Sequence, residues 1–216
     1  VLSTDTVVEN TADPKHRVED WHEIADVVVI GSGFAGLTAA IEARNADASV
    51  IILEKMKAPG TLMQEKAGIK DSPELMYSDM LKAGLGLNYP ELVREVAGKS
   101  NEVLQWSIDY LGVKYLDRVD QFGGHSVPRC YTALKVSGST IIKQQLLKLR
   151  ELGMEVKTQM CFKAFIKDAE GRVRGVLVRD GYEHRNKDSG SDTYIRARKA
   201  VILATGGFGA DIAFRV

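Results

Sequence analysis

Hydrophobic positions in this chain follow two periods, and the switch between them outlines the elements. Val27–Ile30 is an unbroken apolar run of strand length, the pattern of a parallel strand buried on both faces. Gly31-Ser-Gly33-Phe-Ala-Gly36 follows, then Leu37–Ala46 as a helix and Val50–Leu53 as a second strand. Asp71-Ser72-Pro73-Glu74 opens another helix, with a capping Ser or Asp, Pro in the first turn and an early acid. Leu75, Met76, Asp79, Met80 and Ala83 continue it at helical spacing, and Gly84 ends it. Asn88-Tyr-Pro90-Glu91 starts a helix carrying Leu92, Val93 and Val96, and Leu104, Ile108 and Leu111 form a further apolar face closed by Gly112. Ser137 or Ser139 caps a helix running through Ile141, Ile142, Gln145, Leu146, Leu149 and Leu152 to Gly153. The period then shortens to two. Met154–Thr158 reads as a short strand, and Cys161–Lys167 and Val173–Arg179 flank the turn Asp168-Ala-Glu-Gly171 as a hairpin. A polar loop leads to a third strand, Asp192–Ala197, and then to a separate buried strand, Ala200–Ala204, running into Thr205-Gly206-Gly207. Residues 1–25 are polar and aperiodic, a strap or linker on which Trp21 is an anchor; residues 26–216 read as one α/β domain.

The chemistry sits in the first strand–turn–helix. Gly31 permits a tight turn, Gly33 allows backbone to approach a pyrophosphate, and Gly36 lets the helix pack closely on the strand. The helix N-terminus offers unpaired N–H groups and the positive end of its dipole to phosphates. Glu54 closes the second strand, where a carboxylate accepts hydrogen bonds from an adenosine ribose. Strand, glycines, helix, second strand and acid in that order predict an adenine dinucleotide.

Composition narrows the partners. The 216 residues carry 29 Lys+Arg against 29 Asp+Glu, a balance that argues against a nucleic-acid partner held by phosphate neutralisation. No apolar run reaches membrane-spanning length. Cys130 and Cys161 form no CxxC pair, which speaks against a metal site, a thioredoxin-type pair or attachment of a c-type haem. They are either two thiols or one disulfide. Val1 is not followed by a signal-peptide pattern, although a mature protein would have lost one.

Asp26–Ala40, Ile52-Leu-Glu54-Lys55-Met56, Asp71-Ser-Pro-Glu-Leu-Met76, Gly123-Gly124 through Arg129, and Ala200–Phe208 together carry a resemblance. Over roughly residues 24–211 the chain resembles the fumarate reductase and succinate dehydrogenase flavoprotein family, nearest to its soluble flavocytochrome c fumarate reductases. The resemblance implies a glutathione-reductase-like, Rossmann-type FAD-binding domain with a parallel sheet and a β-meander. It implies that Gly31, Ser32, Gly33, Ala35 and Gly36 line the pyrophosphate, with Glu54 on the ribose and Lys55 just beyond. Main chain near Phe162 and Lys163 would meet the adenine edge, and Ala204, Thr205 and Gly206 the ribityl and phosphate side of FAD. It further implies hydride transfer from flavin N5 to an activated double bond of a small carboxylate, an electron-donor protein or domain such as a cytochrome, and a periplasmic setting. Two departures accompany it. The family's Gly-Gly-Asn-Ser/Thr run along the flavin ring is missing, Lys57-Ala-Pro59-Gly60-Thr61 passing straight to Leu62, so a loop is expected to be absent there. The family's capping domain and catalytic arginine would lie beyond Val216, so the expected catalytic residues within the chain are none, His125 and Arg129 reading as structural or surface groups rather than substrate contacts. A ketosteroid dehydrogenase-like flavoprotein, a non-catalytic fragment with weak or no FAD binding and a plain NAD-binding module remain the alternatives.

Overall fold

A computed structural model describes residues 7–8, 21–54, 71–186 and 188–207. In chain order the elements are β1 (Val7–Val8), β2 (Glu23–Ile30), α1 (Phe34–Asn45), β3 (Val50–Leu53), α2 (Pro73–Ala83), α3 (Pro90–Asp109), β4 (Tyr115–Asp120), β5 (Cys130–Ala133), α4 (Ser139–Glu151), β6 (Val156–Lys157), β7 (Met160–Lys167), β8 (Val173–Asp180) and β9 (Ser191–Leu203). They form two compact units, one of residues 1–60 with 145–216, the other of residues 61–144.

The first unit is built on a seven-stranded sheet of order β1-β7-β8-β9-β2-β3-β6. β2 lies parallel between β3 and β9, so its apolar run is covered by neighbours on both edges. Val28 and Val29 are wholly buried, as an unbroken hydrophobic strand requires. On one face Val28, Ile30 and Leu53 join Val176, Val178, Ile195 and Ala197 of the meander in a single core. α1 packs on β2 and β3 through buried Leu37, Ala40 and Ile41. The expected hairpin is β7–β8, antiparallel, turning at Gly171 with φ +80°.

β9 is one thirteen-residue strand, not the two separate strands its sequence suggests. It pairs antiparallel with β8 from Ser191 to Arg196 and parallel with β2 from Ile195 to Leu203. The charged pair Arg198-Lys199 that breaks the apolar pattern is accommodated by a register shift between Ala25 and Val27. At that irregularity Asp26 accepts from the Ser49 N–H and hydroxyl, both at 2.9 Å, and lies 3.6 Å from Arg198. Ahead of β2, Trp21 anchors as expected. Its ring lies against Gly175 of β8, where a Cβ would sit 2.6 Å from it, and His22 stacks on Tyr194. Residues 7–8, inside the aperiodic segment, add a short parallel edge strand to β7.

The second unit packs α2 against α3. Ser72 caps α2 by accepting from the Leu75 N–H at 3.1 Å. α3 is a single twenty-residue helix where sequence spacing suggested two apolar faces on separate elements. Buried Val93, Ala97, Leu104 and Ser107 form one stripe that passes the interruption at Gly98 and Ser100. β4 and β5 pair antiparallel in a two-stranded sheet that the sequence pattern did not announce. Cys130 and Cys161 are both thiols. Among the described residues no helix is long and apolar enough to cross a membrane.

Candidate functional site

The carboxyl ends of β2, β3 and β9 converge at the glycine turn. The Gly31 N–H donates to the Leu53 carbonyl at 2.7 Å, and the Ala204 N–H donates to the Ile30 carbonyl at 2.9 Å. In open α/β sheets ligands bind in the crevice outside such strand ends. Gly31 has φ +104°, and a Cβ on it would lie 2.9 Å from the Ala204 carbonyl carbon and 3.3 Å from the Thr205 nitrogen. Only glycine fits there. A Cβ on Gly36 would strike the Gly31 carbonyl and stand 3.4 Å from the Ala204 methyl. Gly33 is different: among the described residues nothing lies within 4 Å of where its Cβ would be. Two glycines are thus spent on packing, and one faces open space.

Gly33 is the N-cap of α1, with no side-chain cap and no acid in the first turn. The first-turn N–H groups and the dipole therefore meet no protein anion from the helix itself, a donor set suited to phosphate oxygens. Ala35 is exposed in that turn. Ser32 is fully buried; its hydroxyl donates to Glu54 Oε2 at 2.7 Å and its N–H to the same oxygen at 3.1 Å. The main chain of Glu54 is held on both sides, its N–H donating to Lys157 and its carbonyl accepting from Met160, each at 2.9 Å. Lys55 lies outside the described residues, as do Lys57 to Leu62, where a shortened loop was expected.

Lys163 is the extra residue of a bulge in β7, because Phe162 pairs with Val178 and Ala164 with Leu177. Its ammonium is exposed and 3.4 Å from Asp192. Past Ala204, Thr205 and Gly206 are exposed, and Gly206 has φ +76° with nothing near its missing Cβ among the described residues. One residue was not foreseen at this site. Gln145 of α4, fully buried, donates its amide to the Phe34 carbonyl at 3.1 Å and to Thr38 Oγ1 at 2.9 Å, steadying the start of α1. Its signal in the sequence was a single polar residue on an otherwise apolar face.

In the second unit, Arg129 and His125 belong to one hydrogen-bonded network. The Arg129 guanidinium is buried and donates to both Asp71 oxygens at 2.8 and 2.7 Å, to Asp79, and to His125 Nδ1 at 2.8 Å. Asp79 also accepts from the Ser126 N–H and hydroxyl, both at 2.9 Å. The Arg129 bonds hold the Asp71 carboxyl below its usual range. Burial opposes ionisation of Asp79, but the Ser126 amide and Arg129 outweigh it and lower that group too.

A parallel sheet whose strand ends open onto an uncapped helix N-terminus, with an acid on the next strand and an antiparallel meander feeding a returning Ala-Thr-Gly turn, defines a dinucleotide-binding flavoprotein fold. The chain belongs to the FAD binding domain family, whose profile matches residues 26–215. It is 40% identical over 211 residues to an acrylate reductase flavoprotein subunit of Shewanella woodyi, covering 91% of this chain and 42% of that protein. It is 34% identical to a fumarate reductase (cytochrome) of Shewanella frigidimarina, covering 87% of this chain and 34% of that one. The open conformation of a flavocytochrome c3 fumarate reductase matches with a TM-score of 0.75 and 27% identity over 88% of this chain and 35% of that structure. A 3-ketosteroid-Δ4-(5α)-dehydrogenase of Rhodococcus jostii matches with a TM-score of 0.74 and 26% identity over 89% of this chain and 48% of that structure. The chain spans less than half the length of each of these proteins.

Proposed function

We propose that this chain is the adenosine- and diphosphate-holding part of an FAD-dependent oxidoreductase that reduces the activated carbon–carbon double bond of a fumarate-like carboxylate. The observation that carries the reading is the division of labour among the glycines, Gly31 and Gly36 closed on Ala204 and Gly33 open at an uncapped helix start. The first-turn N–H groups from Gly33 to Gly36 donate to the diphosphate, and the helix dipole offsets its charge. Glu54 accepts from the adenosine ribose, and Lys55 is assigned beside it on resemblance alone. The bulged main chain at Lys163 meets the adenine edge, while Ala204, Thr205 and Gly206 border the ribityl and phosphate side. FAD, once bound, supplies hydride from its N5. No residue of this chain is assigned to the chemical step; His125 and Arg129 are engaged in their own ion-pair network. Electrons reach the full-length protein from a donor protein or domain.

The similarity to the acrylate and fumarate reductases supports the carboxylate reading. The likeness to the ketosteroid dehydrogenase supports a second, in which the same FAD-binding part serves a steroid substrate. Full-length protein, purified and yellow, should oxidise a reduced viologen dye when given fumarate or acrylate. Turnover of a 3-ketosteroid with an artificial acceptor, without turnover of either carboxylate, would favour the second reading; colourless protein that takes up no FAD would overturn both.

A further inference from the structure

We propose that Ser32 is a positioning residue for the ribose carboxylate, setting Glu54 in its accepting orientation before the nucleotide arrives. The inference rests on the assignment of Glu54 to the adenosine ribose. In the Gly-x-Gly-x-x-Gly pattern the residue between the first two glycines is unconstrained, because turn, approach and packing are carried by the glycines. Here that position holds a serine with no solvent exposure, and its hydroxyl is directed at Glu54 rather than at the backbone of its own turn. Both Ser32 donors, hydroxyl and amide, converge on the single oxygen Oε2. Two donors on one carboxylate oxygen fix the rotation of the carboxylate plane as well as its position. The backbone beneath is pinned between Lys157 and Met160, so the side chain is held at both ends. A glutamate has several rotamers to lose on capturing a ligand, and holding it in one removes that cost from the binding step. The same contact ties the phosphate loop to the ribose acid, so the two subsites are set at one spacing.

The probes are ADP and 2′-deoxy-ADP, titrated against the chain by calorimetry, with thermal unfolding of each variant as a control. ADP carries the ribose 2′-hydroxyl that a strand-end acid accepts from, and the deoxy form lacks it. Wild type should prefer ADP by about tenfold or more, the factor expected for one hydrogen bond to a charged group. Glu54→Ala should erase that preference. Ser32→Ala, which keeps the amide bond to Oε2, should cut it by about threefold or more and do nothing further in the Glu54→Ala background, the signature of two residues acting as one. Ser32→Cys, close in volume but a weak donor, should behave like Ser32→Ala and separates lost hydrogen bonding from lost packing. A Ser32→Ala variant that weakens both nucleotides equally, or retains the full preference, overturns the positioning role while leaving the ribose reading of Glu54 intact. A Glu54→Ala variant with undiminished preference, or wild type that fails to bind or to distinguish the nucleotides, overturns the ribose reading and this proposal with it.

Discussion

Gly33 and Gly36 stand three residues apart in one turn, yet substitution at each should damage a different property. On Gly36 an added methyl would meet the Gly31 carbonyl, with the carbonyl carbon at 3.0 Å and the Ala204 methyl at 3.4 Å. These are backbone and strand-end atoms that cannot rotate aside, so α1 must lift from the sheet. Overpacking of a core typically costs about 1–3 kcal/mol, and a collision with fixed backbone belongs at the upper end, about 3 kcal/mol. For a chain of this size that corresponds to a fall of roughly 6–12 °C in the unfolding midpoint of Gly36→Ala. On Gly33 an added Cβ meets nothing within 4 Å among the described residues. The only stability costs of Gly33→Val are a poorer N-cap and the offsetting stiffening of the unfolded chain, together within about 1 kcal/mol. The valine methyls would fill the space proposed for the diphosphate, so this variant should keep its midpoint and lose FAD. The assay is thermal unfolding of the FAD-free proteins beside flavin absorbance after gel filtration with added FAD. Full flavin retention by Gly33→Val would remove the diphosphate from this loop. An unchanged midpoint for Gly36→Ala would refute the packing account of the third glycine.

Arg129→Met leaves the Asp71 and Asp79 carboxylates without their buried cation and should cost about 3–5 kcal/mol in denaturant unfolding, a loss under about 1 kcal/mol excluding a structural hub. Both carboxyls titrate below their ordinary range when folded, so the stability they contribute is whole above the unfolded value near pH 4 and drains as pH falls through the folded values. Denaturant titrations from about pH 5 down to about pH 2 should show this slope flattened in Asp79→Asn, and an unaltered slope would dismiss the pair as the acid-sensitive element. Gly175→Ala would press a methyl against the Trp21 ring and the Ile195 carbonyl; it should shift tryptophan fluorescence and lower the unfolding midpoint, and a wild-type spectrum would dissolve the anchor. The 216-residue chain alone should give no fumarate-dependent oxidation of a reduced dye, since none of its assigned groups is placed on the flavin ring or the substrate; turnover would put the catalytic groups inside it.

The dinucleotide strand, its turn and its helix were readable because each is written in local chemistry. Val27–Ile30 has no polar residue to place on a solvent face, and the glycines answer clashes that are local or with the adjoining strand end. The α2 cap was readable for the same reason, Ser72 serving the amide of Leu75. What failed depended on distant partners. Arg198-Lys199 looked like the end of a strand because nothing nearby in sequence reveals that Asp26 and a register shift absorb them. β4 carries Asp117 and Arg118 in its middle and pairs with β5, so its alternation is masked by charge. The two apolar groups Leu92-Val93-Val96 and Leu104-Ile108-Leu111 read as separate faces, but Val93, Ala97 and Leu104 are buried along one helix that continues through the polar stretch between them. At the site, the motif announced Glu54 but not its bond to Ser32, since that position of the pattern tolerates any residue.

The central position of β9 also has a consequence in time. β2 leaves the ribosome well before its parallel neighbour, which begins at Ser191, and the Tyr194 N–H donates to His22 Nδ1 across 172 residues of chain. Until that late strand is synthesised, β2 has one flank unpaired and Val28 and Val29 have only part of their burial. At about 5–20 residues per second the wait is on the order of ten to thirty seconds. During it an apolar strand edge stands open to other nascent chains. β2 is therefore made well before it is fully paired, and the yield of this domain in cells should depend on holding chaperones more than its final packing would suggest.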